Sequence, residues 1–156
     1  MESVLISIHP KWCEKIASGR KTMELRKTKP KSGTPFKCYI YMTAGNACYP
    51  VSNNMVCNNA GCKRVIGEFI CDNIMRFCNM QNADLAEKQS LVKREKIFEY
   101  ANGREVFGWH ISDLKIYEEP KEIGEFTRVD FKKLPVLRWK VERPPQSWCY
   151  VEEMDK

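Results

Sequence analysis

Residues 4–8 (VLISI) form a short run of mainly apolar side chains, which predicts a strand. Pro10 then stands where a helix can begin, because the N–H it lacks would be unpaired in the first turn anyway. Trp12 and Ile16 fall four apart, as do Cys13 and Ala17, so this helix has one apolar face, and Gly19 supplies a left-handed end. Over 22–26 the period changes to alternation, with Met23 and Leu25 on one face and Thr22, Glu24 and Arg26 on the other.

Residues 27–35 make a basic turn region. Over 36–42, Phe36, Cys38, Ile40 and Met42 alternate with Lys37, Tyr39 and Tyr41, which predicts a second long strand. The stretch 44–63 is rich in Asn, Gly and Ser, has no period and reads as a loop insertion. Residues 65–71 return to strand, with Gly67 marking a bulge or a tight bend. Helical composition with a broken period covers 83–101, ended by Asn102 and Gly103.

Residues 106–117 predict a long strand interrupted near Ser112 and Asp113, followed by a proline-led connection over 118–126. Two last strands, 135–141 and 147–152, flank Pro144 and Pro145. About six or seven short strands with two or three helices, in no regular alternation, predict an α+β fold. The expected form is a mixed, mostly antiparallel barrel occupying 1–156 as one domain.

Composition bounds what such a domain does. The chain has 156 residues, 43% of them hydrophobic, enough to build a core without help from metal or disulfides. Lys and Arg outnumber Asp and Glu by 26 to 20, and the resulting +6 charge suits a phosphate-bearing partner without requiring one. No apolar run approaches the roughly 20 residues of a membrane span, and the N-terminus lacks the basic start of a signal peptide, so a cytoplasmic protein with no membrane partner is expected. The eight cysteines contain no CxxC pair, and free buried thiols are the expected state. Cys48, Cys57 and Cys62 share the 44–63 loop, but no fourth ligand is evident, so neither a metal site nor a cofactor is expected.

The densest chemistry is Gly19-Arg20-Lys21-Thr22-Met23-Glu24-Leu25-Arg26, spaced G-x-K-x-x-E-x-R. The glycine lets a helix turn into a strand, on which Glu24 and Arg26 share a face with Lys21 at its mouth. An acid between two cations can bind a polar ligand or lower the pKa of the lysine; a solvated charged strand is the alternative. Ser7 and His9 precede the helix and open toward the same place. Trp12, Tyr41, Trp109 and Trp148 are candidates to stack on bases, with Trp148, after the turn containing Ser147, the most exposed. His110, inside a strand, reads as structural. Two basic groups, one near 20–31 and one of Lys132, Lys133, Arg138, Lys140 and Arg143, would form a rim for a phosphate backbone if the fold joins them.

Residues 7–26 (SIHPKWCEKIASGRKTMELR) resemble the opening of ASCH domains, and all four signature positions are filled. VIGEFICD (65–72), GWHISDLKIYEEP (108–120) and PPQSWCYVEE (144–153) resemble later strands of small bacterial and phage members. The resemblance implies a PUA-like β-barrel whose cleft binds RNA or a nucleoside, with Ser7, His9, Lys21, Glu24, Arg26, Tyr41, Ser147 and Trp148 as ligand-binding candidates. It also implies an alternative, because one bacterial branch hydrolyses N4-acetylcytidine with a lysine at the position of Lys21 and a later glutamate. In that reading Lys21, Glu24 and Glu68 are the catalytic candidates. That branch has threonine three residues after the lysine, where this chain has Glu24. A ribonuclease activity and a protein-interaction adaptor centred on 44–63 are further alternatives.

Overall fold

The computed structural model describes residues 1–45, 62–78 and 81–155 in full and residues 49–51 and 54–56 as backbone. In chain order the elements are β1 (Ser3–Ile8), α1 (Pro10–Ala17), β2 (Met23–Arg26), β3 (Phe36–Met42), β4 (Tyr49–Val51), β5 (Asn54–Val56), β6 (Arg64–Cys71), β7 (Ile74–Phe77), α2 (Ala83–Ser90), α3 (Arg94–Ala101), β8 (Val106–His110), β9 (Ser112–Lys121), a 3-10 turn (Ile123–Glu125), β10 (Thr127–Asp130), β11 (Leu137–Lys140) and β12 (Trp148–Val151).

Among the described residues the architecture is α+β, with three helices and mostly antiparallel strands. Seven strands form one sheet in the order β11-β10-β12-β1-β3-β6-β9, three form another in the order β2-β8-β7, and β4 pairs with β5. β1 lies at the centre of the large sheet, antiparallel to β12 on one side and parallel to β3 on the other. Register converts the alternation into two cores. Val4, Ile6 and Ile8 pair with Cys38, Ile40 and Met42 and join Phe36, Phe69 and Trp109 in one cluster. Leu5 and Tyr39, also paired, join Phe126, Val141 and Val151 in a second cluster on the opposite face. Both faces of the central strands are therefore covered, which is why Tyr39 and Tyr41 are buried despite their hydroxyls.

Three sequence expectations are corrected. The described residues contain twelve strands rather than about six or seven: β7 is too short, and β10 too short and polar, to announce itself, and a hairpin, β4 with β5, lies within the expected 44–63 loop. The long strand expected over 106–117 is two strands, and the break falls at Ile111, where the chain leaves the small sheet for the large one. The third concerns the alternative reading of β2 as a solvated charged strand, which fails because all four of its residues are buried. The broken helix over 83–101 resolves into α2 and α3, whose intervening turn begins at Leu91 in a left-handed conformation. Gly67 does sit at a register irregularity between β6 and β9, where a Cβ would lie 2.4 Å from the Lys115 carbonyl oxygen.

Candidate functional site

The site is built at the passage from α1 into β2. Gly19 follows the helix with a φ of +77°, a conformation that side-chain-bearing residues rarely adopt. The turn carries the Lys21 N–H to the Lys15 carbonyl (3.0 Å) and the Thr22 N–H to the Gln89 carbonyl (2.9 Å), which places the signature against the end of α2. Lys21 then donates from Nζ to the Ser90 carbonyl at 2.8 Å. That carbonyl belongs to the last residue of α2, where helical geometry leaves acceptors free and the helix dipole favours a cation.

One carboxylate ties the two cations together. Lys21 Nζ lies 3.2 Å from Glu24 Oε2, and Arg26 Nη2 donates to Glu24 Oε1 at 2.8 Å. The same Nη2 donates to the Ser7 carbonyl at 2.8 Å, while Nη1 reaches the Ser147 hydroxyl at 3.3 Å. Arg26 Nε is buried with no acceptor among the described residues. Burial pushes the Lys21 amine below its ordinary value; Glu24 resists that shift, and Arg26 and Lys15 add to it. For Glu24, burial works to raise the carboxyl, but Lys21 and Arg26 outweigh it and hold the group below its ordinary range.

This network floors a cavity of about 320 Å³. Ser7 and His9 line one side. Trp12 forms a wall, with the ammonium groups of Lys11, Lys15 and Lys21 each 4.8–4.9 Å from its ring. Leu25, Val92, Ile97 and Tyr100 complete the lining. The floor shows little of itself, since Lys21, Glu24 and Arg26 are 2%, 7% and 9% exposed. It can present edges and charge to a guest, but it cannot wrap one.

Of the residues singled out from the sequence, Ser7, His9, Lys21, Glu24 and Arg26 meet in this cavity, and Ser147 anchors Arg26 from behind. Tyr41 is buried in the second core cluster. Trp148 packs against Trp109 and Tyr150 and donates from Nε1 to the Thr28 hydroxyl at 2.9 Å. Glu68 sits on β6, accepts from the Tyr117 hydroxyl and lies 3.9 Å from Lys37, away from the cavity residues. His110 shares a 2.6 Å contact with Asp72. Cys48 and Cys57 lie outside the described residues, as does much of the 44–63 stretch; Cys62 is half-buried. Among the described residues no group of three His, Cys, Asp or Glu side chains could hold a metal.

The sequence reading missed Tyr100, Ile97 and Val92, and it missed the Ser90 carbonyl. An aromatic at 100 in a lysine-rich helical stretch was the only available signal; the carbonyl had none. Ile97 also borders a second, mostly apolar cavity of about 430 Å³, lined with Phe77, Phe98 and Val106 on the other side of α3. Among the described residues no helix is long and apolar enough to cross a membrane.

Solved structures share this architecture over nearly the whole chain. The ASCH protein of Zymomonas mobilis superposes with a TM-score of 0.55 at 19% identity, covering 97% of this chain and 88% of that one. A tyrosine-to-phenylalanine mutant of the same protein gives a TM-score of 0.60 at 17% identity, with coverage of 98% and 92%. No family model and no curated protein matches the chain. The fold is that of an ASCH domain, in agreement with the resemblance of residues 7–26.

Proposed function

We propose that this ASCH domain binds RNA by accepting one nucleoside into the cavity above Lys21, Glu24 and Arg26, on a scaffold of the PUA-like barrel type. The observation that carries the reading is the paired Lys21–Glu24–Arg26 floor beneath an open, aromatic-walled hollow. A volume near 320 Å³ falls at the small end of the ~300–1,000 Å³ range for small-molecule sites, which suits a single base with its sugar. Trp12 and Tyr100 offer ring faces for stacking. Two cations against one carboxylate leave the floor positive, which favours phosphate and carbonyl oxygens.

The test is titration of a labelled single-stranded RNA into wild type, Trp12→Ala, Tyr100→Ala and Lys21→Ala, with circular dichroism confirming each fold. Loss of a stacking wall is expected to weaken binding by ~1–3 kcal/mol, about thirtyfold at the middle of the range. Unchanged affinity in all three variants rejects the reading.

The lowered Lys21 amine favours a second reading, an amidohydrolase acting on a modified nucleoside such as N4-acetylcytidine. A neutral amine can act as base or nucleophile, and Glu24, 3.2 Å away, is the carboxylate in reach to relay the proton to the leaving amine. Since the amine loses its proton at lower pH than a free lysine, turnover should rise with pH ahead of the ordinary value of 10.5. Chromatography of N4-acetylcytidine incubated with concentrated protein is decisive for that substrate: no released cytidine removes it.

A further inference from the structure

We propose that a basic and aromatic track runs from the cavity, across the loop at 27–33, onto the β10–β11 hairpin, and holds the single-stranded RNA flanking the bound nucleoside. The inference rests on the RNA-binding reading and adds a second contact surface to it.

The track starts at Tyr100, a cavity wall whose other parts face solvent, with Lys27 Nζ 4.7 Å from its ring. One residue on, Thr28 accepts the Trp148 indole N–H. The Lys31 backbone N–H then donates to the Tyr150 hydroxyl at 3.1 Å. The Tyr150 ring lies 5.2 Å from the rings of both Trp148 and Phe131. The loop is thus pinned across a row of aromatics, and its lysines at 27, 29 and 31 are exposed. Beyond Phe131, Arg128, Lys132 and Trp139 border a hollow of about 270 Å³ where β10 and β12 part, and the Arg128 guanidinium lies 5.6 Å from the Trp139 ring.

This hairpin exposes what folding normally hides. Phe131, Leu134, Leu137 and Trp139 are 52%, 93%, 46% and 42% exposed, and they interleave with cations. Between residues 127 and 143 the only acids are Asp130 and Glu142, against six lysines and arginines. Such a charge balance fits a polyanion. Open ring faces fit unpaired bases, which a duplex keeps stacked out of reach. Phosphates would follow Lys27, Lys31, Lys132 and Arg128 while bases lie on Phe131 and Trp139.

The experiment uses the full chain, a fluorescein-labelled oligouridylate dodecamer read by anisotropy, and uridine monophosphate read by calorimetry. Trp139→Ala is expected to weaken dodecamer binding about tenfold and to leave the mononucleotide affinity unchanged. Arg128→Ala and Lys132→Ala should each flatten the slope of log affinity against log salt by about 0.7. Dodecamer affinity and salt slope unchanged in all three overturn the track; if Trp12→Ala or Lys21→Ala weakens binding in the same series, the cavity reading survives alone. Weakening by the track variants with no effect of Trp12→Ala, Tyr100→Ala and Lys21→Ala supports the track and removes the cavity reading. β11 is an edge strand, so sedimentation is run in parallel. A dimer lost in Trp139→Ala, with RNA affinity intact, assigns the patch to self-association and overturns the proposal.

Discussion

At the residue scale the central fact is that Glu24 is held from both sides, by Lys21 at 3.2 Å and Arg26 at 2.8 Å, in a place with little water. Removing one partner of such a buried set leaves the others uncompensated and costs ~3–5 kcal/mol. Glu24→Gln should therefore destabilise the protein by about 3 kcal/mol at neutral pH. Because the folded carboxyl titrates below its ordinary value of 4.5, its stabilisation is complete above that value and is lost as pH falls through the lower folded one. Urea midpoints of wild type and Glu24→Gln should thus converge in acid; a gap that stays constant with pH would refute the pairing. The three residues stood out in the sequence by their spacing, which by itself left a solvated charged strand as the alternative. Their burial was not, because it depends on α2 and α3 lying over β2, and a strand of MELR carries no mark of what covers it.

At the element scale, legibility followed length and contrast. β1, β3 and β6 showed themselves through runs of alternating or continuous apolar residues. β7 (IMRF) and β10 (TRVD) did not, since four residues with so few buried side chains match no template. The split between β8 and β9 was legible only as an interruption, placed one or two residues late. Gly67 was read as a bulge or a tight bend, and the structure shows irregular register with β9 on either side of it, and β9 backbone passing where a side chain would begin. Gly67→Ala must push β6 from β9, because the nearest atom is the Lys115 backbone carbonyl oxygen, which cannot swing aside as a side chain can. A loss of about 2 kcal/mol in denaturant unfolding is expected, in the range of overpacked cores. A neutral substitution would mean that the strands part freely there.

At the scale of the whole molecule, thiols report how well the two cores close. Cys13, Cys38, Cys71 and Cys149 are buried in the described structure. Burial raises all four thiols, Cys71 to about 12 and Cys13 and Cys38 well above their ordinary value, so the reactive thiolate is scarce as well as inaccessible. Site-resolved labelling with a thiol reagent at neutral pH should leave these four unmodified until denaturant opens the fold. Labelling at a rate indifferent to denaturant would contradict the packing.

The position of β1 has a consequence for biosynthesis. Its parallel neighbour β3 follows soon after it, but its antiparallel neighbour β12 is made nearly a whole chain later. On the ribosome, one flank of β1 stays open, with its amides unpaired, until residues 148–151 have been made and have emerged. A truncated translation product would carry that sticky flank permanently, which makes it a natural client for chaperones.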